Sequence, residues 1–361
     1  MENVIIFGTG ARAEKAIKSY EKDKYNIVAY LDNNEKAHGT KFHNILICSP
    51  EQLKSLSYDI ILICSTAYNE IFKQLVDDYQ VDPQKIKNHL YFLKCKLLDY
   101  YSDLSNYDLE INDIIKFLQT NDLQVFNYSF REKYKNLDIA VEYDENVNLY
   151  YVIYNGKRMY FKESFKTKRD VINYYRFLLE EQDIESPHRY QKDGIVVGEG
   201  DVVIDAGVAE GNFALDIIDK VSKIYLIETD DEWIYALKQT FKDYRHKVVF
   251  VNKFLTDYNN ENNITLDYLI RNDNVNFIKM DIEGAEIKAL IGAKETLNNS
   301  GNLKVNICAY HNNEDKDKIF ELLKKHNFHV RTTDGYMFYV DDDTYEKAEL
   351  RFVKGIVQGY K

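Results

Sequence analysis

Asp205, Glu228, Asp281 and His311 each stand just past a short apolar run, namely Asp201–Ile204, Ile224–Ile227, Phe277–Met280 and Lys304–Ala309. Carboxylates at such points can accept hydrogen bonds from an ammonium or from ribose hydroxyls. An imidazole there titrates near neutrality and can take a proton from a weakly acidic hydroxyl. The acid at 281 opens the turn Asp281-Ile282-Glu283-Gly284-Ala285-Glu286, so three carboxylates share one strand-to-helix junction. Glu283 and Glu286 are three apart and can share a helix face. His311 is the first candidate base. Asp281 could orient the acceptor or serve as base, and Glu283 joins them as a catalytic candidate. The same acids with His311 could ligate a divalent cation. Compensation of the helix dipole is the favoured reading for Glu286, and no metal is assigned.

The stretch Asp205-Ala206-Gly207-Val208-Ala209-Glu210-Gly211-Asn212-Phe213 is a glycine-bearing turn between a strand and a helix. Backbone N–H groups near Gly207 and Gly211 can approach a ligand closely, with Glu210 and Asn212 as polar neighbours. A carboxylate in this loop would repel a dinucleotide pyrophosphate. It suits S-adenosylmethionine, which carries an ammonium and a sulfonium. Asp205 is placed to meet that ammonium, Glu228 to accept both ribose hydroxyls, and Asp281 to line the same cofactor site.

A second glycine turn, Gly8-Thr9-Gly10-Ala11-Arg12-Ala13, follows the apolar run Val4–Phe7 near the start of the chain. Gly8 and Gly10 permit a tight turn, the following helix N-terminus favours a phosphate, and Asp32 after Ile27–Leu31 could take a ribose hydroxyl. This unit closes near residue 92, which is short for a dehydrogenase. NAD-dependent oxidoreductase or epimerase chemistry here is an alternative reading. A non-catalytic sugar-nucleotide binder is another.

The elements that position these residues alternate strand and helix, so the expected fold is α/β with mostly parallel sheets and ligands at the strand carboxyl ends. Three regions are expected: a small Rossmann-like nucleotide or nucleotide-sugar domain over 1–92, a connector over 93–190, and a larger Rossmann-like domain over 191–361. In the connector Leu109–Leu118 and Asp170–Glu181 read as helices. Ala140–Tyr143, Leu149–Tyr154 and Met159–Phe161 read as strands, with Asn155-Gly156 as a hairpin turn. This aromatic-rich stretch could wall the substrate cleft or bridge a homodimer. A C-terminal hairpin of Phe328–Arg331 with Tyr336–Val340 is expected around Asp334-Gly335. His188, Arg189 and Tyr190 form a polar cluster after Pro187, readable as substrate contacts or as a surface turn.

Composition narrows the partners. The net charge of −12 argues against nucleic acid, although Lys157, Arg158, Lys162, Lys166, Lys168 and Arg169 form a local basic cluster. That cluster reads first as a solvated face. No apolar run approaches the roughly 20 residues of a membrane span. The four cysteines form no C-x-x-C pair, and the opening MENVIIFGTG is a strand and turn rather than a signal peptide. A cytoplasmic location is expected.

The segments DAGVAEGNF, ITLDYLI, FIKMDIEGAEIKALIGA and ICAYH together resemble the FkbM family of methyltransferases, over roughly residues 170–340. The resemblance implies a class I methyltransferase sheet that uses S-adenosylmethionine to methylate hydroxyls of sugars, glycolipids or polyketides. It also implies that His188, Arg189 and Tyr190 lie near the cofactor or substrate. Many members carry Glu-Pro after the second strand, where this chain has Glu228-Thr229. IIFGTGARAEKAI, IVAYLDNNEKAHGT and YDIILICS are similar to the small Rossmann-like domains of bacterial sugar-modifying enzymes, which implies a sugar or nucleotide-linked sugar as substrate.

Overall fold

The computed structural model describes residues 1–102, 108–271, 273–312, 314–339 and 350–361. The chain divides into two compact units, 1–128 with 338–352, and 129–337 with 353–361. Residues 93–128 therefore belong to the first unit and 129–190 to the second.

In the first unit, β1 (Glu2–Phe7) lies between β2 (Tyr25–Leu31) and β5 (Ile60–Ile63), parallel to both. Val4, Ile5, Ile6 and Phe7 are all buried, as expected of a central parallel strand covered on both faces. The sheet runs β3-β4-β2-β1-β5-β6, with β3 at Lys41–Phe42, β4 at Ile45–Cys48 and β6 at Ile86–Asn88. Helices α1 (Ala11–Lys18) and α2 (Tyr68–Asp77) follow β1 and β5, and α3 (Tyr91–Ser102) and α4 (Leu109–Thr120) follow the sheet. Gly8 has φ +103°, and a Cβ there would stand 2.8 Å from the Cys64 carbonyl oxygen, so only glycine lets β1 turn beside β5.

The second unit begins with the short helix α5 (Glu132–Lys135) and the antiparallel meander β7 (Glu142–Asp144), β8 (Leu149–Tyr154) and β9 (Lys157–Tyr160). Asn155 and Gly156 both have positive φ, which the two-residue β8–β9 turn requires. Helix α6 (Lys168–Glu181) follows, opened by a capping box between Thr167 and Asp170.

The large sheet is then built from β10 (Val202–Ala206), β11 (Lys223–Ile227), β12 (Val248–Val251), β15 (Phe277–Met280) and β16 (Lys304–Cys308), all parallel. Between them run α7 (Asn212–Ile217), α8 (Asp231–Thr240), the short pair β13 (Phe254–Leu255) and β14 (Asn263–Ile264), α9 (Leu266–Leu269), α10 (Glu286–Ile291) and α11 (Lys294–Asn299). Helix α12 (Asp315–Lys325) leads to β17 (His329–Thr332). The expected hairpin does not form from β17. Its partner is the C-terminal strand Ile356–Tyr360, which pairs antiparallel with both β16 and β17. Ile356 and Val357 are fully buried there, so closing the sheet core outweighs the local turn. Val340 of the expected hairpin lies outside the described residues. The strand order is β12-β11-β10-β15-β16, the C-terminal strand, then β17. Chain direction thus reverses its march across the sheet between β10 and β15, where open α/β sheets form their ligand crevice. Among the described residues no helix is long and apolar enough to cross a membrane.

Candidate active site

The carboxyl ends of β10, β11 and β15 open into a cleft of about 570 Å³. Its floor begins at Gly207, whose φ is +73° and whose Cβ, if present, would lie 1.6 Å from the Asp281 carbonyl oxygen. The β10 loop and the β15 end can touch only because this residue has no side chain. Ala209 also takes a left-handed φ of 48° and donates its N–H to Glu228 Oε2 at 2.9 Å. The other Glu228 oxygen accepts the Thr229 and Asp230 N–H groups at 2.7 and 2.9 Å. Glu228 is thus fixed at the end of β11 without proline after it.

Asp281 is held by three side chains. Tyr190 donates to its Oδ2 at 2.9 Å, Tyr310 approaches at 3.3 Å, and His311 Nε2 lies 3.4 Å from Oδ1. Burial pushes its acidity down, but the charges of Lys279 and His311 and the Tyr190 hydrogen bond outweigh it. The carboxyl is held below its ordinary value and stays ionised.

Of the residues singled out in the sequence, Gly207, Glu210, Asn212, Glu228, Asp281, Glu283 and Tyr190 line the cleft. Asp205 does not; it is fully buried beneath it and pairs with Lys279 Nζ at 3.1 Å. Glu210 is itself bound to the Tyr174 hydroxyl at 2.6 Å, and burial pushes it up to about 7. Gly211 faces the core: a Cβ there would meet Leu237 at 2.8 Å and Phe241 at 3.0 Å. His311 stands just behind the cleft lining: its side chain is 5 % exposed, with Nε2 turned toward the lining residues Asp281 and Glu283.

His188 is fully buried, with Nε2 3.5 Å from Cys308 Sγ, and burial holds its pKa at about 4, so it is a neutral packing residue behind Tyr190 and Tyr310. Arg189 bonds the carbonyls of Gln182 and Gln191 and borders a separate small hollow with Tyr154 and Asp216. In the basic cluster, Lys157, Arg158 and Lys162 pair with Asp219, Asp144 and Asp230 of the same unit.

Lys279, Tyr174 and Glu181 are among the cleft residues that carried no role in the sequence. Lys279 is buried in β15 and donates to the Gly207 carbonyl at 2.5 Å as well as pairing with Asp205. Its only sequence signal was a lysine inside the apolar run Phe277–Met280. Tyr174 and Glu181 reach the cleft from α6, which ends 26 residues before Gly207.

In the first unit Gly8, Gly10 and Asp32 border a separate crevice of about 500 Å³, with Arg12 and Ser65. Asp32 accepts from Thr9 Oγ1 and the Asn34 N–H, both at 2.9 Å, and Arg12 donates to the Ser65 carbonyl at 2.7 Å.

The model of the methyltransferase FkbM domain matches residues 126–330, more than half of the chain. The chain belongs to the FkbM methyltransferase family. Residues 1–87 of this methyltransferase match a further family, described as C2185-like, N-terminal. A crystal structure of the FkbM methyltransferase from Methylobacillus flagellatus aligns with 99 % of this chain and 90 % of its own, at 15 % identity and a TM-score of 0.51. A precorrin-6y C5,15-methyltransferase from Geobacter metallireducens aligns with 46 % of this chain and 82 % of its own, at 11 % identity and a TM-score of 0.33. No curated protein matches the chain.

Proposed function

We propose that this FkbM methyltransferase moves the methyl group of S-adenosylmethionine to a hydroxyl of a sugar or nucleotide-linked sugar, in cytoplasmic steps of surface-polysaccharide or glycoconjugate biosynthesis. The observation that carries the cofactor reading is the charge of the cleft. Among the described residues, Glu228, Asp230, Asp281 and Glu283 line it, with Glu181 and Glu210 both pushed up to about 7 by burial, against Lys253 and Lys279. Such a wall favours a ligand with a sulfonium and an ammonium and disfavours a pyrophosphate. The residues fit that group: Glu228 would take ribose hydroxyls, and the Gly207–Asn212 loop would lie along it. Asp205 would act indirectly, through Lys279, rather than by touching the ammonium.

When bound, the cofactor supplies an electrophilic methyl carbon on sulfur. The chain's own residues orient the acceptor and take its proton. Asp281, kept ionised by Lys279 and Tyr190, accepts a hydrogen bond from the acceptor. His311 receives the hydroxyl proton at Nε2. Glu283, 87 % exposed, stands at the cleft mouth to meet the acceptor. Arg189 and His188 help only by fixing the loop that carries Tyr190. No metal is needed for these roles.

Calorimetry with S-adenosylhomocysteine tests this reading. One-site binding that is lost in Glu228→Ala supports it, and absence of binding to the folded wild-type protein sinks it. NAD is the parallel ligand: binding of NAD alone would favour an oxidoreductase centred on the first unit.

The first-unit crevice is proposed to hold the nucleotide part of the activated sugar, with Asp32 near the ribose and the Gly8–Gly10 turn near phosphate. A Gly8→Ala variant of the full chain is expected to keep S-adenosylhomocysteine binding and lose uridine diphosphate binding. Equal uridine diphosphate affinity in both proteins, or none in either, would refute this.

A further inference from the structure

Both ring nitrogens of His311 face carboxylates. Nδ1 lies 3.2 Å from Glu286 Oε1, while Nε2 lies 3.4 Å from Asp281 Oδ1 and 3.5 Å from Glu283 Oε2. The turn that brings them together is left-handed at Glu283 and Gly284, with φ of 55° and 92°. A Cβ at position 284 would stand 2.9 Å from Asn312 Nδ2, so the missing side chain lets the turn close against the end of β16.

Glu286 is the first residue of α10, yet no side chain caps that helix. Its Oε1 instead accepts the Ile282 N–H at 2.8 Å, four residues back, which fixes the rotamer. Glu286 is fully buried, and its Oε2 has no hydrogen-bond partner among the described residues. A buried carboxylate with so few donors is costly unless a proton is directed at it. The proton that the geometry offers is the one on His311 Nδ1.

We propose that Glu286 is a positioning residue that holds His311 in its Nδ1–H tautomer, leaving the Nε2 lone pair on the side of the cleft residues Asp281 and Glu283 as the proton acceptor for the acceptor hydroxyl. This rests on the methyl-transfer reading. In the step it serves, the acceptor O–H bond breaks and its proton goes to Nε2. The oxygen bonds the methyl carbon, and the carbon–sulfur pair returns to sulfur. The imidazolium so formed is stabilised by Glu286 from the far side, the logic by which a buried acid supports a catalytic histidine.

The charged and titratable groups around the imidazole agree. Asp281, Glu283 and Glu286 come from the β15–α10 turn, Asp315 from the start of α12, and Tyr310 packs its ring 4.3 Å from the imidazole centroid. His188 and Lys279 lie behind Asp281. Burial pulls His311 down, but the Glu286 carboxylate at 3.2 Å and the other acids around it pull harder, and its pKa ends above the ordinary value.

The test is nitrogen-15 NMR of the cofactor-free full chain, with His311→Ala to assign the ring signals. In the wild type the neutral imidazole is expected to carry its proton on Nδ1. Glu286→Gln removes the charge and keeps the shape, and should lower the His311 titration midpoint by about one unit. Glu286→Asp keeps the charge one methylene further back and should give a smaller drop; it also serves if the glutamine variant does not fold. A proton on Nε2 in the wild type, or midpoints unchanged in both variants, overturns the proposal. So does a shift of the His311 ring signals on adding Mg²⁺ or Mn²⁺, which would make Nε2 a metal ligand. None of these readings needs the cofactor. Failure of S-adenosylhomocysteine to bind would sink the methyl-transfer reading while leaving the tautomer measured.

Discussion

Lys279 Nζ and Asp205 Oδ1 lie 3.1 Å apart with both side chains almost wholly buried, 4 % and 1 % exposed. The pair ties β15 to β10 at the point where the cleft opens. The same ammonium takes the Gly207 carbonyl and sits 4.9 Å over the Tyr190 ring. It also charges the space behind Asp281, which is why that carboxylate stays ionised despite burial. Removing one member strands the other in a low-dielectric interior. Lys279→Met is therefore expected to cost about 3–5 kcal/mol. Lys279→Met with Asp205→Asn should recover part of that loss. Urea unfolding of the two singles and the double closes the cycle. Equal midpoints for the wild type and Lys279→Met would show that the pair contributes nothing to stability.

Gly207 tests the contact between the β10 loop and the β15 end. Gly207→Ala must move either the loop or the Asp281 carbonyl, because the new carbon would sit 1.6 Å from that oxygen. The expected loss is about 3 kcal/mol or more, together with loss of S-adenosylhomocysteine binding. Gly200→Ala is the control. Its φ is also positive, at 79°, but no atom lies within 4 Å, so only the left-handed strain of about 1 kcal/mol applies. Similar melting temperatures for the two variants would mean that the close approach is not what demands glycine at 207.

The acids at strand ends were legible because parallel strands announce themselves as short apolar runs, and the residue after each run must reach the ligand edge. The ribose-site candidate Glu228 and the cleft acid Asp281 were found that way. The burial of Asp205 was not legible, because its partner is 74 positions on and looks like one polar residue in an apolar strand. Tyr174 and Glu181 were missed for a related reason: helix α6 carries neither a glycine turn nor a strand-end acid, and only tertiary packing brings it over the cleft. The C-terminal hairpin was misread because Asp334-Gly335 is a real local turn signal, with Gly335 at φ 86°. The distant strand Ile356–Tyr360 pairs with β16 and β17 instead and buries Ile356 and Val357.

His188 gives the acid side of the stability profile. Burial holds it at about 4 in the folded chain against an ordinary 6.5. Between those values the unfolded chain binds more protons, so this contribution is present above pH 6.5 and is lost as pH falls toward 4. The loss across that window is expected to be about 2–3 kcal/mol. His188→Gln cannot titrate. Its urea midpoint should fall less than that of the wild type between pH 6.5 and 4.5, and parallel curves would refute the buried neutral imidazole.

Glu210 acts in the opposite direction. Burial raises it to about 7 from an ordinary 4.5, even with the Tyr174 hydroxyl bound to it. Here the folded chain holds the extra proton, so stability is full below pH 4.5 and declines as pH rises to about 7. Glu210→Gln keeps a neutral partner for Tyr174 and escapes that decline. Relative to the wild type, the variant should be close in stability at pH 4.5 and more stable by about 1–3 kcal/mol at pH 8. The comparison belongs in the cofactor-free protein, because a bound cation would favour the ionised carboxylate. Adding S-adenosylhomocysteine, which lacks the sulfonium charge, should leave the pH dependence of the gap nearly unchanged, whereas S-adenosylmethionine should narrow the gap at pH 8. A gap that stays constant from pH 4.5 to 8 would show that Glu210 is already ionised in the fold. The wall facing the methyl donor would then be one charge more negative than the burial of Glu210 implies.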